Sequence, residues 1–268
     1  GLATGETLLP ITTVALIAVI GWRDVWLATG LVTALALLVL VPVVLKGFDR
    51  CHADYLARQS QGARQSGEGR DWTRLEVLRD PRYLSAMALL LAYPYVSTGV
   101  LFHQAFIAET RGWPIELLAT GLISMAFMKV LTSLRIGPMI DRNGAVRLIP
   151  ASAVPFIACF VALGVSSHPL MPYVFLGALG IGIGMLQPIV SAVFAELYGV
   201  RNLGGIRAMS AAAMILAAAA APATFGLAFD LGVSIETVTV VSIAYMALAA
   251  AIAFWVLRRH ADPESWND

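Results

Sequence analysis

A lysine flanked on both sides by apolar sequence is the residue best placed to do chemistry in this chain. Lys129 lies inside the run Leu117–Ile140, and at about 1.5 Å per helical residue it stands roughly 18 Å from Asp141 and about as far from Leu117. A charge at that depth in a bilayer costs on the order of 3 kcal/mol, so it persists only beside an opposite charge or a water-filled cavity. Lys129 therefore reads either as a cationic anchor for a carboxylate-bearing anion or as half of a structural ion pair. Glu6 is the natural partner, because it lies about 21 Å from Ile20 at the end of its own apolar run, a matching depth. His103 and Gln104 follow Tyr93-Pro94-Tyr95 and sit about one turn from the end of theirs. An imidazole there either exchanges protons in a vestibule or is simply an interfacial polar group. Gln187-Pro188 forms a third candidate: the proline frees a backbone carbonyl and the amide offers both donor and acceptor, unless the pair is only a local kink. Arg135, close to the end of its run, snorkels to the surface and is not a substrate group.

These residues need elements that hold them within a membrane. The chain has 268 residues, of which 59% are hydrophobic and 13% charged, with a net charge of +1; one soluble core cannot hide that much apolar surface. Runs of about 20 apolar residues occur at Leu2–Ile20, Val25–Leu45, Tyr83–Ile107, Leu117–Ile140, Val146–Ser166, Met171–Leu197, Gly204–Phe229 and Thr237–Leu257. They predict an all-α, polytopic helical bundle with eight membrane helices. The first run lacks the basic start and small-residue cleavage site of a signal peptide, and being hydrophobic from Leu2 it reads as the inside of a helix of a longer protein.

Four parts follow: residues 1–45 with two helices, a polar linker over 46–82 with an amphipathic piece near Trp72–Leu78, a six-helix part over 83–257, and a tail over 258–268. Alternating the helices places the linker, the Asp141–Arg147 connector, the Gly199–Arg207 connector and the tail on one face. Arginine is concentrated there, whereas the opposite face has only Arg23 and Arg111. The positive-inside rule makes the first face cytoplasmic and puts His168 outside. The expected location is a bacterial inner (plasma) membrane. The modest net charge gives no footing for nucleic acid. Cys51 and Cys159 lie in unlike surroundings and suggest neither a disulfide nor a metal site.

Several motifs narrow the class. Gly137-Pro138-Met139-Ile140-Asp141-Arg142, with Gly144 and Arg147, resembles the cytoplasmic signature after the eighth helix of major facilitator superfamily transporters. Gly21-Trp22-Arg23 resembles the external turn after their fifth helix. Gly180, Gly182 and Gly184, then Ala195-Glu196-Leu197-Tyr198-Gly199, Arg201 and Gly204-Gly205, resemble the tenth helix and its connector, and Pro222, Gly226, Phe229-Asp230 and Gly232 the end of the eleventh. Phe102-His103-Gln104-Ala105-Phe106 and Gly112-Trp113-Pro114 look like the monocarboxylate and oxalate/formate branch.

The resemblance implies that the chain holds the last two helices of the N-terminal half and the whole six-helix C-terminal half of such a fold. It further implies a secondary active transporter of a small organic anion, working by alternating access with proton coupling or exchange and without cofactor or metal. In that fold Lys129 falls where anion carriers place a basic residue, Glu6 faces it across the two halves, and Gln187 lines the cavity. Gly137, Asp141, Arg142, Arg147 and Glu196 would form the conformational gate, with Gly137 and Pro138 making the turn and Asp141 capping or pairing locally with Arg142 and Arg147. The glycines of the tenth helix and the Ala217–Ala221 run would pack helices closely and let them slide.

Two other readings stand beside this one. With the first four helices of the fold outside this stretch, the chain is alternatively a truncated product or a half-transporter needing a separate N-terminal half. An intramembrane enzyme is the third. It would need a nucleophile with its base, or a His-Glu-x-x-His metal motif, and His52, His103, His168 and His260 are scattered instead. There is likewise no Gly-Lys-Ser/Thr nucleotide loop.

Overall fold

The computed structural model describes residues 12–13, 16–17, 19–45 and 72–259. Among them the chain is helical, without strands. Most of the run Leu2–Ile20, including Glu6, and residues 46–71 of the 46–82 linker lie outside the described residues. Chain contacts divide the protein into Gly1–Gly69 and Arg70–Asp268.

The first unit contributes α1 (Trp22–Leu45), exposed along almost its whole length with Val25 buried. Thr29 and Thr33 return their hydroxyl protons to carbonyls four residues earlier, at 2.7 Å each, which lets polar residues sit in an apolar helix without an unpaired donor.

The second unit runs α2 (Arg74–Arg79), α3 (Pro81–Phe102), α4 (Gln104–Arg111), α5 (Ile115–Asn143), α6 (Ala145–Ala151), α7 (Ala153–Val165), α8 (Met171–Tyr198), α9 (Leu203–Asp230) and α10 (Ile235–Arg259). Local sequence sets these boundaries. Thr73 and Glu76 form a reciprocal capping box on α2, and Asp80 caps α3 with Pro81 in its first turn. The short connectors between the long helices make successive spans antiparallel.

Among the described residues seven helical spans are long and apolar enough to cross a membrane: α1, α3, α5, α6 with α7 as one span, α8, α9 and α10. They coincide with seven of the eight predicted runs. The span Ala145–Val165 has a hitch at Ser152, where Ser152 Oγ donates to the Ile149 carbonyl (2.6 Å) and, its proton being used, accepts from Tyr93 Oη (2.8 Å).

The core lies among α3, α6–α7 and α8. Tyr93 stacks on Phe156 with 4.5 Å between ring centres, and Gly182 leaves Phe156 the room a side chain would take. Around this pair α8 packs on α5 and α7, α10 on α3 and α7, and α9 on α3. Within this second unit α5 and α9 bury the least, 11% of their apolar stretch against 56% for α3. The Ala217–Ala221 run accordingly buries only Ala221 and does not make the close packing expected of it within this unit.

One expectation about a turn changes. Gly137 and Pro138 do not turn the chain: both lie inside α5, which continues to Asn143, and a Cβ on Gly137 would meet nothing within 4 Å. The reversal occurs at Gly144, whose φ of 79° favours glycine.

Candidate functional site

Lys129 is half-buried in the middle of α5, at the seam with α8. That seam is made by small residues. A Cβ on Gly184 would come 2.5 Å from the Lys129 carbonyl oxygen, one on Gly177 2.8 Å from Ser124 Oγ, and one on Gly180 would overlap the Met125 carbonyl. The two backbones are therefore in contact along several turns. Pro188 has no N–H to give the carbonyl of Gly184, and Ser133 Oγ from α5 donates to that carbonyl instead (3.2 Å). Ser124 Oγ likewise donates to the Tyr173 carbonyl (3.0 Å). The freed carbonyl expected of Gln187-Pro188 is thus taken up inside the seam. Gln187 follows Gly184 by slightly less than a turn and is exposed.

His103 ends α3 and precedes α4. Its Nδ1 lies 3.0 Å from the Gly99 carbonyl; because a carbonyl only accepts, Nδ1 carries the proton and Nε2 is the free acceptor. The ring lies nearly parallel to Phe225 (23°, 6.1 Å) and edge-on to Phe229 (5.3 Å), both on α9. A Cβ on Gly226 would stand 3.5 Å from Nε2, so the free nitrogen faces α9. Beside it the Gln104 Oε1 is buried and unpaired among the described residues. The structure thus separates the candidates: Lys129 and Gln187 lie on the paired helices α5 and α8, and His103 lies against α9 with Gln104 next to it in sequence. Glu6 lies outside the described residues.

The residues expected to form a gate are held by a different contact. Asp141, Arg142 and Arg147 are all exposed and form no ion pair with a described residue, so the pairing proposed for Asp141 is not what holds this end. Glu196, from the far end of α8, accepts instead from the Ala145 N–H (2.6 Å) and the Val146 N–H (3.4 Å) at the start of α6. A carboxylate there satisfies donors that a helix start leaves open. A Cβ on Gly144 would come 2.7 Å from its Oε1, which gives the glycine a second reason to be there.

Sequence reasoning missed a cluster at the same end. Arg82 is paired with Asp80 through bonds of 2.8 and 3.0 Å, and both residues are buried. The guanidinium sits over the Trp72 ring at 5.1 Å and near Tyr198 at 6.0 Å, contacts that favour a cation. Asn202 donates to the Trp72 carbonyl (2.9 Å), and Tyr83 Oη meets Ser210 Oγ at 3.1 Å. In the sequence Asp80 and Arg82 fall in the polar linker, and nothing there indicates that they close under Trp72 against the α8–α9 connector.

At the opposite end Arg111, whose side chain is 10% exposed, lies 3.1 Å from Glu236 at the start of α10, while Trp113 Nε1 donates to the Ser167 carbonyl (2.7 Å). Among the described residues no group of three metal-ligating side chains occurs. No protein-family model and no curated protein matches the chain.

Proposed function

We propose that the protein is a secondary active transporter of a small organic anion, of the major facilitator type and nearest in character to its monocarboxylate and oxalate/formate branch, with Lys129 as the carboxylate anchor. The observation that carries the reading is the placement of Lys129. It is a half-buried cation at the midpoint of an apolar helix of membrane-spanning length, on a seam with α8, which carries Pro188 within it. A cation at such depth serves a charge or a wet cavity, and the low burial of α5 leaves one side of that helix open to line one. His103, with its proton-accepting Nε2 held toward α9, supplies a group able to couple anion movement to protons.

Uptake of a labelled monocarboxylate by cells expressing the protein tests the anchor. Removing one partner of a buried charged contact costs about 2–5 kcal/mol, against less than about 1 kcal/mol for a rim charge. Lys129→Gln is expected to abolish uptake while membrane abundance is kept. Restored uptake in Lys129→Gln with Glu6→Gln would show instead that Lys129 only neutralises Glu6, and would remove it as the anchor.

A further inference from the structure

Between α9 and α10, backed by α3, lies a cavity of about 220 Å³. Its apolar walls include Phe225, Val238 and Val241, and none of its lining side chains is charged. Hydroxyls gather inside it. Thr224 Oγ1 turns its single proton toward the carbonyls of Ala220 and Ala221 (2.9 and 3.1 Å), so across the 2.7 Å contact with Tyr95 Oη the tyrosine is the donor. Tyr95 Oη then keeps its acceptor capacity for something else. Ser242 lines the same cavity, is only 8% exposed, and makes no hydrogen bond with a described residue. A serine in a helix ordinarily bonds to the carbonyl four residues earlier; Ser242 leaves that option unused, and its hydroxyl is open as both donor and acceptor. Counted along their helices, Ser242 and Tyr95 each lie roughly 10 Å in from Ile235 and Phe102, at the level of the apolar segments rather than at the helix ends. Val241, on the rim, is 61% exposed.

We propose that this cavity binds a neutral amphiphile with a single hydroxyl: a medium-chain alcohol or a phenol that reaches it from the bilayer. The ligand hydroxyl donates to Tyr95 Oη and accepts from Ser242, while its carbon body fills the space between Phe225 and Val241. At about 30 Å³ per non-hydrogen atom the cavity takes about seven such atoms, with a longer tail leaving between α9 and α10. A carboxylate or ammonium is excluded because no lining group would neutralise it. The site differs in chemistry from the proposed anion anchor, although Phe225 also faces His103, and it does not depend on that reading.

Photolabelling with a diazirine derivative of octanol, on the purified protein in lipid vesicles, tests the site. Adducts are expected on the lining residues of α3, α9 and α10 and should be displaced by excess hexanol on the unaltered protein. Ser242→Ala should weaken labelling about fivefold, the loss of one hydrogen bond, Ser242→Thr should preserve it, and Ala228→Leu, which fills the cavity, should abolish it. Adducts that hexanol does not displace and that spread over the exposed leucines of α9 would mean simple partitioning into lipid. That result, or undiminished labelling in both Ser242→Ala and Ala228→Leu, overturns the proposal.

Discussion

At the residue scale, Glu196 and the Arg82–Asp80 pair hold the end of the bundle that carries Gly144, and they do so differently. Glu196 satisfies helix-start N–H groups 51 residues away along the chain, so its worth is that of a charged cap, about 1–2 kcal/mol. Glu196→Ala should lower the thermal unfolding midpoint in detergent, and Glu196→Gln, which keeps an acceptor, should lose less than half as much. Equal losses in the two variants would show that the carboxylate is not capping α6. Arg82 and Asp80 are an enclosed pair. Arg82→Leu strands the Asp80 charge and should cost about 3–5 kcal/mol. Adding Asp80→Asn should recover most of that loss, because the uncompensated charge is then gone. A double variant no more stable than Arg82→Leu alone would mean that the ring contacts to Trp72 and Tyr198, rather than the charge, dominate.

At the scale of elements, α5 and α8 behave as one interlocked pair. Gly180 meets the Met125 backbone and Gly184 the Lys129 backbone, while Ser133 and Ser124 bond across the seam. Gly180→Ala must therefore push the helices apart, at a cost of about 1–3 kcal/mol, and Lys129 should shift with α5. Gly137 is the internal control: a Cβ there meets nothing, and glycine inside a helix is about 0.5–1 kcal/mol worse than alanine. Gly137→Ala should raise the unfolding midpoint where Gly180→Ala lowers it. A destabilised Gly137→Ala would mean that the residue packs against a surface other than the described helices. The seam also bears on sliding as the role of these glycines, since the serine-to-carbonyl hydrogen bonds across it oppose sliding and favour α5 and α8 moving together.

For the whole molecule, the asymmetry of charge between the two ends yields a prediction about orientation. Arg142, Arg147, Arg201 and Arg207 lie at one end of the second unit, and Arg111 with His168 at the other. By the positive-inside rule the arginine-rich end faces the cytoplasm. In a protein with Cys51→Ser and Cys159→Ala, a membrane-impermeant maleimide applied to intact cells should modify His168→Cys and spare Arg201→Cys. Modification of Arg201→Cys alone would invert the bundle, and with it the placing of His103 and Glu196.

The sequence by itself determined the spans. A helix that crosses a bilayer satisfies its own backbone and needs only enough consecutive apolar residues, so the runs Val25–Leu45 through Thr237–Leu257 became α1 and α3 to α10 with small shifts at their ends. Caps such as Thr73 with Glu76 and Asp80 with Pro81 were equally local. It also named Gly144 and Glu196, in two separate motifs, but not their contact. Only tertiary structure decided that Glu196 rather than Asp141 secures α6, that Ser133 takes the carbonyl freed by Pro188, that Trp72 covers Arg82, and that Tyr95 and Ser242 line one cavity. Each of these depends on the rotation and register of one helix against another. That relation is set by the summed packing of small residues and rings such as Gly182 on Phe156, and no single stretch of sequence contains it.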